Sequence, residues 1–144
     1  MPFIIEGIVA GLVGTFVMTL CLLLIHKSGW ANADMVRAIG SAITRSYQNA
    51  FPVGLVVHFL VGIPIALAYL TLLNIFQVQG YWSTIMAAGF LGFGHGLVFS
   101  FLLLALAEMH PMERFQQVDL QVAFAHLLAH VIYGLGVGVV AVNV

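Results

Sequence analysis

Four long runs of hydrophobic residues alternate with short polar segments along the chain. The runs cover approximately residues 3–25, 52–76, 81–107 and 120–142. Each is long enough to cross a bilayer, because a helix needs roughly 20 residues to span a hydrocarbon core of about 30 Å. The pattern predicts an all-α fold, an integral membrane four-helix bundle that forms a single transmembrane domain over residues 1–144.

The polar segment after the first run has a helical pattern of its own. Between residues 34 and 50, apolar side chains fall on one face of a helix and polar side chains fall on the opposite face. The apolar face carries Met35, Ile39, Ala42 and Ile43, and the polar face carries Arg37, Ser41, Thr44, Arg45 and Gln48. This predicts a short amphipathic helix on the membrane surface, although packing against the bundle or a partner subunit explains the pattern equally well.

Composition supports the membrane assignment and excludes several function classes. Hydrophobic residues make up 62% of the chain and charged residues only 6%, whereas about a quarter of a soluble domain is charged. The formal net charge of −1 offers no basic surface for nucleic acid. The spans contain no phosphate-binding loop and no pair of carboxylates, so we expect a protein that is not an enzyme by itself.

The basic residues predict how the chain is oriented in the membrane. All of them lie in the first and third connecting segments, which are on the same side of a four-span protein; they are Lys27, Arg37, Arg45 and Arg114. The positive-inside rule therefore predicts that segments 26–51 and 108–119 are cytoplasmic and that both termini lie outside, in a bacterial inner membrane. We expect the first run to stay in the mature protein, because no Lys or Arg precedes it.

Two pairs of short segments suggest an internal repeat. Residues 10–14 (AGLVG) resemble residues 88–92 (AGFLG), and residues 58–62 (HFLVG) resemble residues 130–134 (HVIYG). The two pairs have similar separations along the sequence, which predicts two repeated helical hairpins related by a pseudo-twofold axis along the membrane normal. This symmetry would make the histidines of the second pair equivalent. A chance match between glycine-rich helices is the alternative explanation.

Histidines from three spans fall at similar depths in the membrane. At about 1.5 Å per helical residue, they occupy a slab about 10 Å thick in the half nearer the first and third connecting segments. They are His58, His95, His126 and His130. Two of them, His126 and His130, stand one turn apart on a helix face that continues through Gly134 to Gly138. Ionisable groups inside a span usually face protein, so we expect this stripe to face the bundle interior.

Neutral imidazole is a common ligand of transition metals, and bundle cores are frequent sites for them. His58 and His130, on different helices, are the candidate axial ligands of haem b, with Gly62, Gly92 and Gly134 making room for the macrocycle. A bare transition-metal ion is the alternative to haem. The histidines that would coordinate it are His58, His95, His126 and His130.

Two other roles use the same histidines. A chain of imidazoles could relay protons toward Glu108 and His110 at the end of the third span, as in a small metal or proton transporter. Histidines in membrane helices also act as interhelical hydrogen-bonding groups, typically worth about 0.6 kcal/mol. In that case the protein would be a purely structural or assembly subunit.

Repeated glycines predict close contacts between the spans. Glycine and other small residues let two membrane helices approach closely, which is a main source of packing energy in lipid. The glycines at small-xxx-small spacing are Gly7, Gly11, Gly14, Gly92, Gly96, Gly134 and Gly138. They serve either the internal bundle or a contact with a second copy of the chain.

The motifs GLVGT at residues 11–15, MT at 18–19 and HVIYG at 130–134 also carry a family resemblance. In this combination the chain resembles a group of small four-span bacterial and archaeal membrane proteins of unknown function. The resemblance covers nearly the whole chain and implies the architecture alone. The expected function is therefore drawn from the histidines: binding of haem b or a transition-metal ion, as an accessory subunit of a larger membrane redox complex, together with the lipid bilayer and either other subunits or further copies of the chain.

Overall fold

The structure, a computed structural model, describes residues 2–144 and contains helices and loops but no strand in that range. The five α-helices are α1 (Phe3–Lys27), α2 (Met35–Thr44), α3 (Ala50–Ile75), α4 (Tyr81–Leu106) and α5 (Leu120–Asn143), and two 3₁₀ turns cover Ala107–Met109 and Glu113–Phe115. Four of the α-helices, all except α2, are long and apolar enough to cross a membrane. The all-α, four-span membrane fold is therefore confirmed.

The amphipathic helix of the first loop is shorter than predicted. Helix α2 ends at Thr44, and Arg45 adopts a left-handed conformation with φ of 53°. The Thr44 hydroxyl oxygen accepts a hydrogen bond from the Ser46 N–H at 3.3 Å, which stabilises the turn. The predicted helix over residues 34–50 is thus wrong in its second part, because the chain must reverse there to begin α3 at Ala50.

Helix α2 packs against the bundle. Val36, Gly40 and Ser41 are buried in α2, and a Cβ atom added at Gly40 would overlap the carbonyl group of Ala50. The contact is reciprocal, because a Cβ at Gly54 of α3 would overlap the Val36 carbonyl. Of the two arrangements that the sequence allowed for this segment, the structure has the helix packed on the beginning of α3.

Helix α5 is the most buried of the four spans. In its most apolar window 56% of the residues are buried, against 33% or less in the other three. The stripe of His126, His130, Gly134 and Gly138 is buried along its whole length. Since α5 packs closely on both α1 and α4, this stripe faces the interior of the bundle, as expected for polar side chains inside a membrane.

Glycines lie where the spans come closest. In the α4–α5 contact, a Cβ at Gly92 would overlap the His130 carbonyl, one at Gly134 would overlap the Ala88 carbonyl, and one at Gly138 would lie 2.7 Å from the Cα of Ile85. The remaining glycines of the small-xxx-small set also face another helix: Gly7 meets Leu67, Gly11 meets Ile63, Gly14 meets Tyr133 and Gly96 meets the Cβ of His130. Backbones therefore approach each other directly at Gly11, Gly92, Gly134 and Gly138, whereas Gly7 and Gly14 leave room for side chains of the neighbouring helix.

The packing does not follow the proposed twofold repeat. A pseudo-twofold axis that exchanges the hairpins α1–α3 and α4–α5 would map the α1–α5 contact onto an α4–α3 contact. Helices α1 and α5 pack extensively, whereas α3 and α4 touch at only a few places. The expectation of two equivalent hairpins is thus not met. Glycines of α5 contact both α1 and α4, whereas α3 makes no comparable contact with α4.

The close contact at Gly134 can be tested by adding one methyl group. We expect Gly134→Ala to lower the free energy of unfolding by about 1–3 kcal/mol, because the new Cβ would collide with the backbone of α4. Gly94→Ala is the control, since a Cβ at Gly94 has no atom within 4 Å and should leave stability unchanged or slightly higher. Denaturation in mixed detergent micelles, followed by circular dichroism, measures both. Equal stability of the two variants would contradict this packing.

Candidate functional site

The predicted histidines surround one cavity. His58 from α3, His95 from α4 and the pair His126 and His130 from α5 all line a space of about 290 Å³ between the spans. The other residues that line it are Thr15, Met18, Met35, Ile39, Val57, Val61, Gly62, Ile65, Phe99, Leu103 and Tyr133. Helices α3 and α4 touch at only a few places, and the four imidazoles line the same space between the spans.

The two histidines of α5 are oriented by their own helix. Nδ1 of His126 lies 2.8 Å from the Val122 carbonyl oxygen, and Nδ1 of His130 lies 2.7 Å from the His126 carbonyl oxygen. Because a carbonyl oxygen can only accept a hydrogen bond, Nδ1 must carry the proton in both rings. The Nε2 atom of each neutral ring then keeps its lone pair, which is the form that binds a metal.

Several polar atoms at the cavity have no hydrogen-bond partner within residues 2–144. They are buried, and they comprise Nε2 of His58, Nε2 of His126 and the hydroxyl oxygen of Thr15. A buried polar group without a partner costs roughly 1–3 kcal/mol, so a group of such atoms around one space calls for an explanation. One further buried atom of this kind, Nδ1 of His26, belongs to the end of α1 and does not line the cavity.

His95 differs from the other three histidines because it bonds across helices. Its Nδ1 lies 3.1 Å from the Tyr69 hydroxyl of α3, which makes a polar link between two spans that otherwise touch little. The His95 ring also stands edge-on to the His130 ring, with the two centroids 4.7 Å apart. His95 therefore connects α3, α4 and α5 at the level of the cavity.

The geometry of the cavity limits what it can bind. Within residues 2–144, no group of three or more His, Cys, Asp or Glu side chains is close enough to hold a metal ion. The four imidazoles therefore surround the space without meeting at one point. The glycines that were expected to make room for haem lie against other residues: Gly62 against Thr15, Gly92 against the backbone of α5 and Gly134 against the backbone of α4.

A second cavity, which the sequence did not suggest, adjoins the first. It has a volume of about 360 Å³ and lies between α2, the end of α4 and the third loop. Both cavities are lined by Met35, Ile39, Phe99, Leu103 and His126, so these side chains form the partition between them. This second cavity, called the outer cavity below, extends from the partition to residues of the first and third connecting segments.

His110 fastens the third loop to α2. Its Nδ1 accepts a hydrogen bond from the Met112 N–H at 3.0 Å, and its Nε2 donates one to the Ala38 carbonyl oxygen at 2.9 Å. Asn32 adds a second link by donating to the Arg114 carbonyl oxygen at 3.0 Å. The sequence suggested that a proton relay could lead to Glu108 and His110; in the structure Glu108 is exposed and His110 forms these loop contacts.

Comparison with known proteins shows that the chain belongs to a family. The model of a protein family described as a family of unknown function (DUF6789) matches residues 1–143. No curated protein and no solved structure matches the chain.

The wall of the cavity can be tested at Tyr133, which donates a hydrogen bond to the Gly62 carbonyl oxygen at 2.6 Å and so links α5 to α3. We expect Tyr133→Phe to lower the free energy of unfolding by about 0.5–1.5 kcal/mol. Tyr81→Phe is the matched control, since the Tyr81 side chain is half exposed at the beginning of α4. Chemical denaturation in micelles gives both values, and a loss no greater for Tyr133→Phe than for Tyr81→Phe would refute the link.

Proposed function

Because the chain belongs to the DUF6789 family, whose function is unknown, we propose a function from the cavity itself: the protein binds a transition-metal ion inside the membrane through imidazole nitrogens. His58 and His126 are the first candidate ligands, and His130 and His95 lie beside them on the same cavity. The protein would act as a non-catalytic, accessory subunit of a larger membrane redox complex.

The observation that carries this proposal is the set of imidazole nitrogens without partners. Nε2 of His58 and Nε2 of His126 are both buried, and neither has a hydrogen-bond partner within residues 2–144. The opposite nitrogen of His126 donates to a backbone carbonyl, an arrangement found in most metal-binding histidines because it fixes the tautomer and the ring orientation. A bound cation would use the lone pairs that the protein itself leaves unpaired.

The competing function is a structural subunit in which the histidines hold the helices together. That function requires hydrogen bonds between helices, but His126 and His130 bond to carbonyls of their own helix. Among the four histidines, and within residues 2–144, only His95 has a side-chain partner on another span. A hydrogen bond within a helix adds nothing to helix association, so this arrangement favours ligand binding over a purely structural role.

Haem b is the second candidate ligand, because His58 and His130 line the same cavity from two different helices. The close packing at Gly62, Gly92 and Gly134 favours a bare ion, since a flat macrocycle would need these helix contacts to separate. Transport is the second candidate activity. The adjoining outer cavity favours it, because the two spaces share five lining residues and together reach the connecting segments.

The exposed face of α4 and the basic residues indicate the partners and the orientation of the protein. Helix α4 is the least buried span, with Phe90, Phe101 and Trp82 each about 70% exposed or more, so its outer face offers an apolar surface to lipid, other subunits or a second copy of the chain. The membrane would be a bacterial inner membrane. Segments 26–51 and 108–119 would be cytoplasmic and both termini outside, because all four basic residues lie in these two segments.

Metal analysis of the purified protein tests the binding proposal. We expect about one equivalent of a transition metal after purification in detergent, and we expect His58→Ala and His126→Ala each to weaken binding by roughly tenfold to a hundredfold or more. Elemental analysis gives the content, and an absorption spectrum distinguishes haem, with its Soret band, from a bare ion.

His26→Ala is the control, because Nδ1 of His26 is also buried without a partner but does not line the cavity. Wild-type occupancy is expected for this variant. Absence of any metal or haem from the wild-type protein, even after incubation with each ion, would refute the proposal, as would equal occupancy in all three variants.

The orientation is tested separately by labelling single cysteines. In a Cys21→Ala background, Gln79→Cys in the turn before α4 should react with a membrane-impermeant maleimide added to spheroplasts. Ser46→Cys in the first connecting segment should react only after the membrane is permeabilised. Reaction of the second variant and protection of the first would show that the chain has the opposite orientation.

A further inference from the structure

The cavity of the histidines carries no formal charge. Of the residues that line it, none is Asp, Glu, Lys or Arg, and Cys21 is not among them either. An ion that enters such a cavity loses its hydration without gaining a counter-charge. The free-energy cost of this desolvation rises with the square of the ionic charge. A divalent ion would therefore be disfavoured far more strongly than a monovalent ion of similar size.

The number of free nitrogen donors leads to the same conclusion. Within residues 2–144, two imidazole nitrogens of the cavity are buried without a hydrogen-bond partner, Nε2 of His58 and Nε2 of His126. Zinc sites in proteins normally have three or four protein ligands, and no group of three His, Cys, Asp or Glu side chains comes together within residues 2–144. Two imidazole nitrogens can satisfy an ion that accepts a linear, two-coordinate shell. Among the transition metals, Cu(I) is the common biological ion with that preference.

The cavity also presents soft ligands. Met18 of α1 and Met35 of α2 both line it, and Met18 is only 5% exposed. A thioether sulfur is uncharged and polarisable, and it selects Cu(I) over harder ions. Methionine is also an ordinary filler of apolar cores, so the two roles must be distinguished by metal affinity and not by stability.

From the missing charge, the small number of nitrogen donors and the two thioethers, we propose that the ion of this cavity is Cu(I), held by imidazole Nε2 atoms of the cavity with the thioether of Met18 as a further ligand. This inference rests on the proposed function and specifies its ligand. It also implies that Met35, which belongs to both cavities, lies where an ion would pass from the outer cavity to the inner one.

Competition with a chromophoric Cu(I) chelator, under ascorbate and in detergent, tests the inference on the full chain. We expect Cu(I) to bind about a hundredfold or more tighter than Zn(II) or Fe(II). Met18→Leu, which nearly conserves volume, should weaken Cu(I) binding by about tenfold and leave any residual Zn(II) binding unchanged. Met86→Leu is the control because Met86 is 65% exposed on α4, away from the cavity, and its Cu(I) affinity should equal that of the wild type.

The outcomes separate this inference from the function on which it rests. Zn(II) or Fe(II) binding as tight as Cu(I), lost in His58→Ala, would overturn the choice of ion and leave metal binding intact. Equal Cu(I) affinity of Met18→Leu and Met86→Leu, with native circular dichroism in both, would overturn the role of the thioether. Failure of every ion to bind would overturn both proposals together.

Discussion

A polar group inside a bilayer must find its partner within the protein, and this constraint organises the bundle. Several polar side chains of the spans meet it: Tyr133 donates to the Gly62 carbonyl, Ser100 donates to the Ala123 carbonyl and Thr19 donates to the Thr15 carbonyl. Of the four buried polar side-chain atoms without a hydrogen-bond partner within residues 2–144, three lie together at one cavity, and the fourth, Nδ1 of His26, lies at the end of α1. Nε2 of His58, Nε2 of His126 and the hydroxyl of Thr15 belong to residues that line one cavity, so the site is defined by what the fold leaves unsatisfied.

The positions of the glycines determine both where the helices pack closely and where the cavity lies. Glycines bring α5 against α4 and α1, and they bring α1 against α3, so these helices meet backbone to backbone. Helices α3 and α4 touch each other at only a few places. The hydrogen bond between Tyr69 and His95 links α3 to α4, and α2 contributes Met35 and Ile39 to the wall of the cavity. Side chains of all four spans and of α2 thereby form the wall of one cavity.

The spans, the membrane fold and the resemblance to a family of unknown function could all be predicted, because run length and short motifs are properties of the sequence alone. The burial of the His126 stripe followed from the cost of polar groups in lipid. The end of α2 at Arg45 could not be predicted, since the helical pattern continues beyond the turn. The contact between Gly40 and the Ala50 carbonyl, the bond from His110 to Ala38 and the unpaired imidazole nitrogens all depend on segments distant in sequence, which no local pattern encodes.

The central claim is that imidazole nitrogens of the cavity bind a transition-metal ion. X-ray absorption at the metal edge, on protein purified from its own membrane, tests this most directly because it reports the atoms around the ion. The expected spectrum shows nitrogen neighbours at about 2.0 Å with the outer-shell scattering of imidazole rings. A spectrum with only oxygen neighbours and no imidazole scattering, or a sample without metal, would contradict the claim.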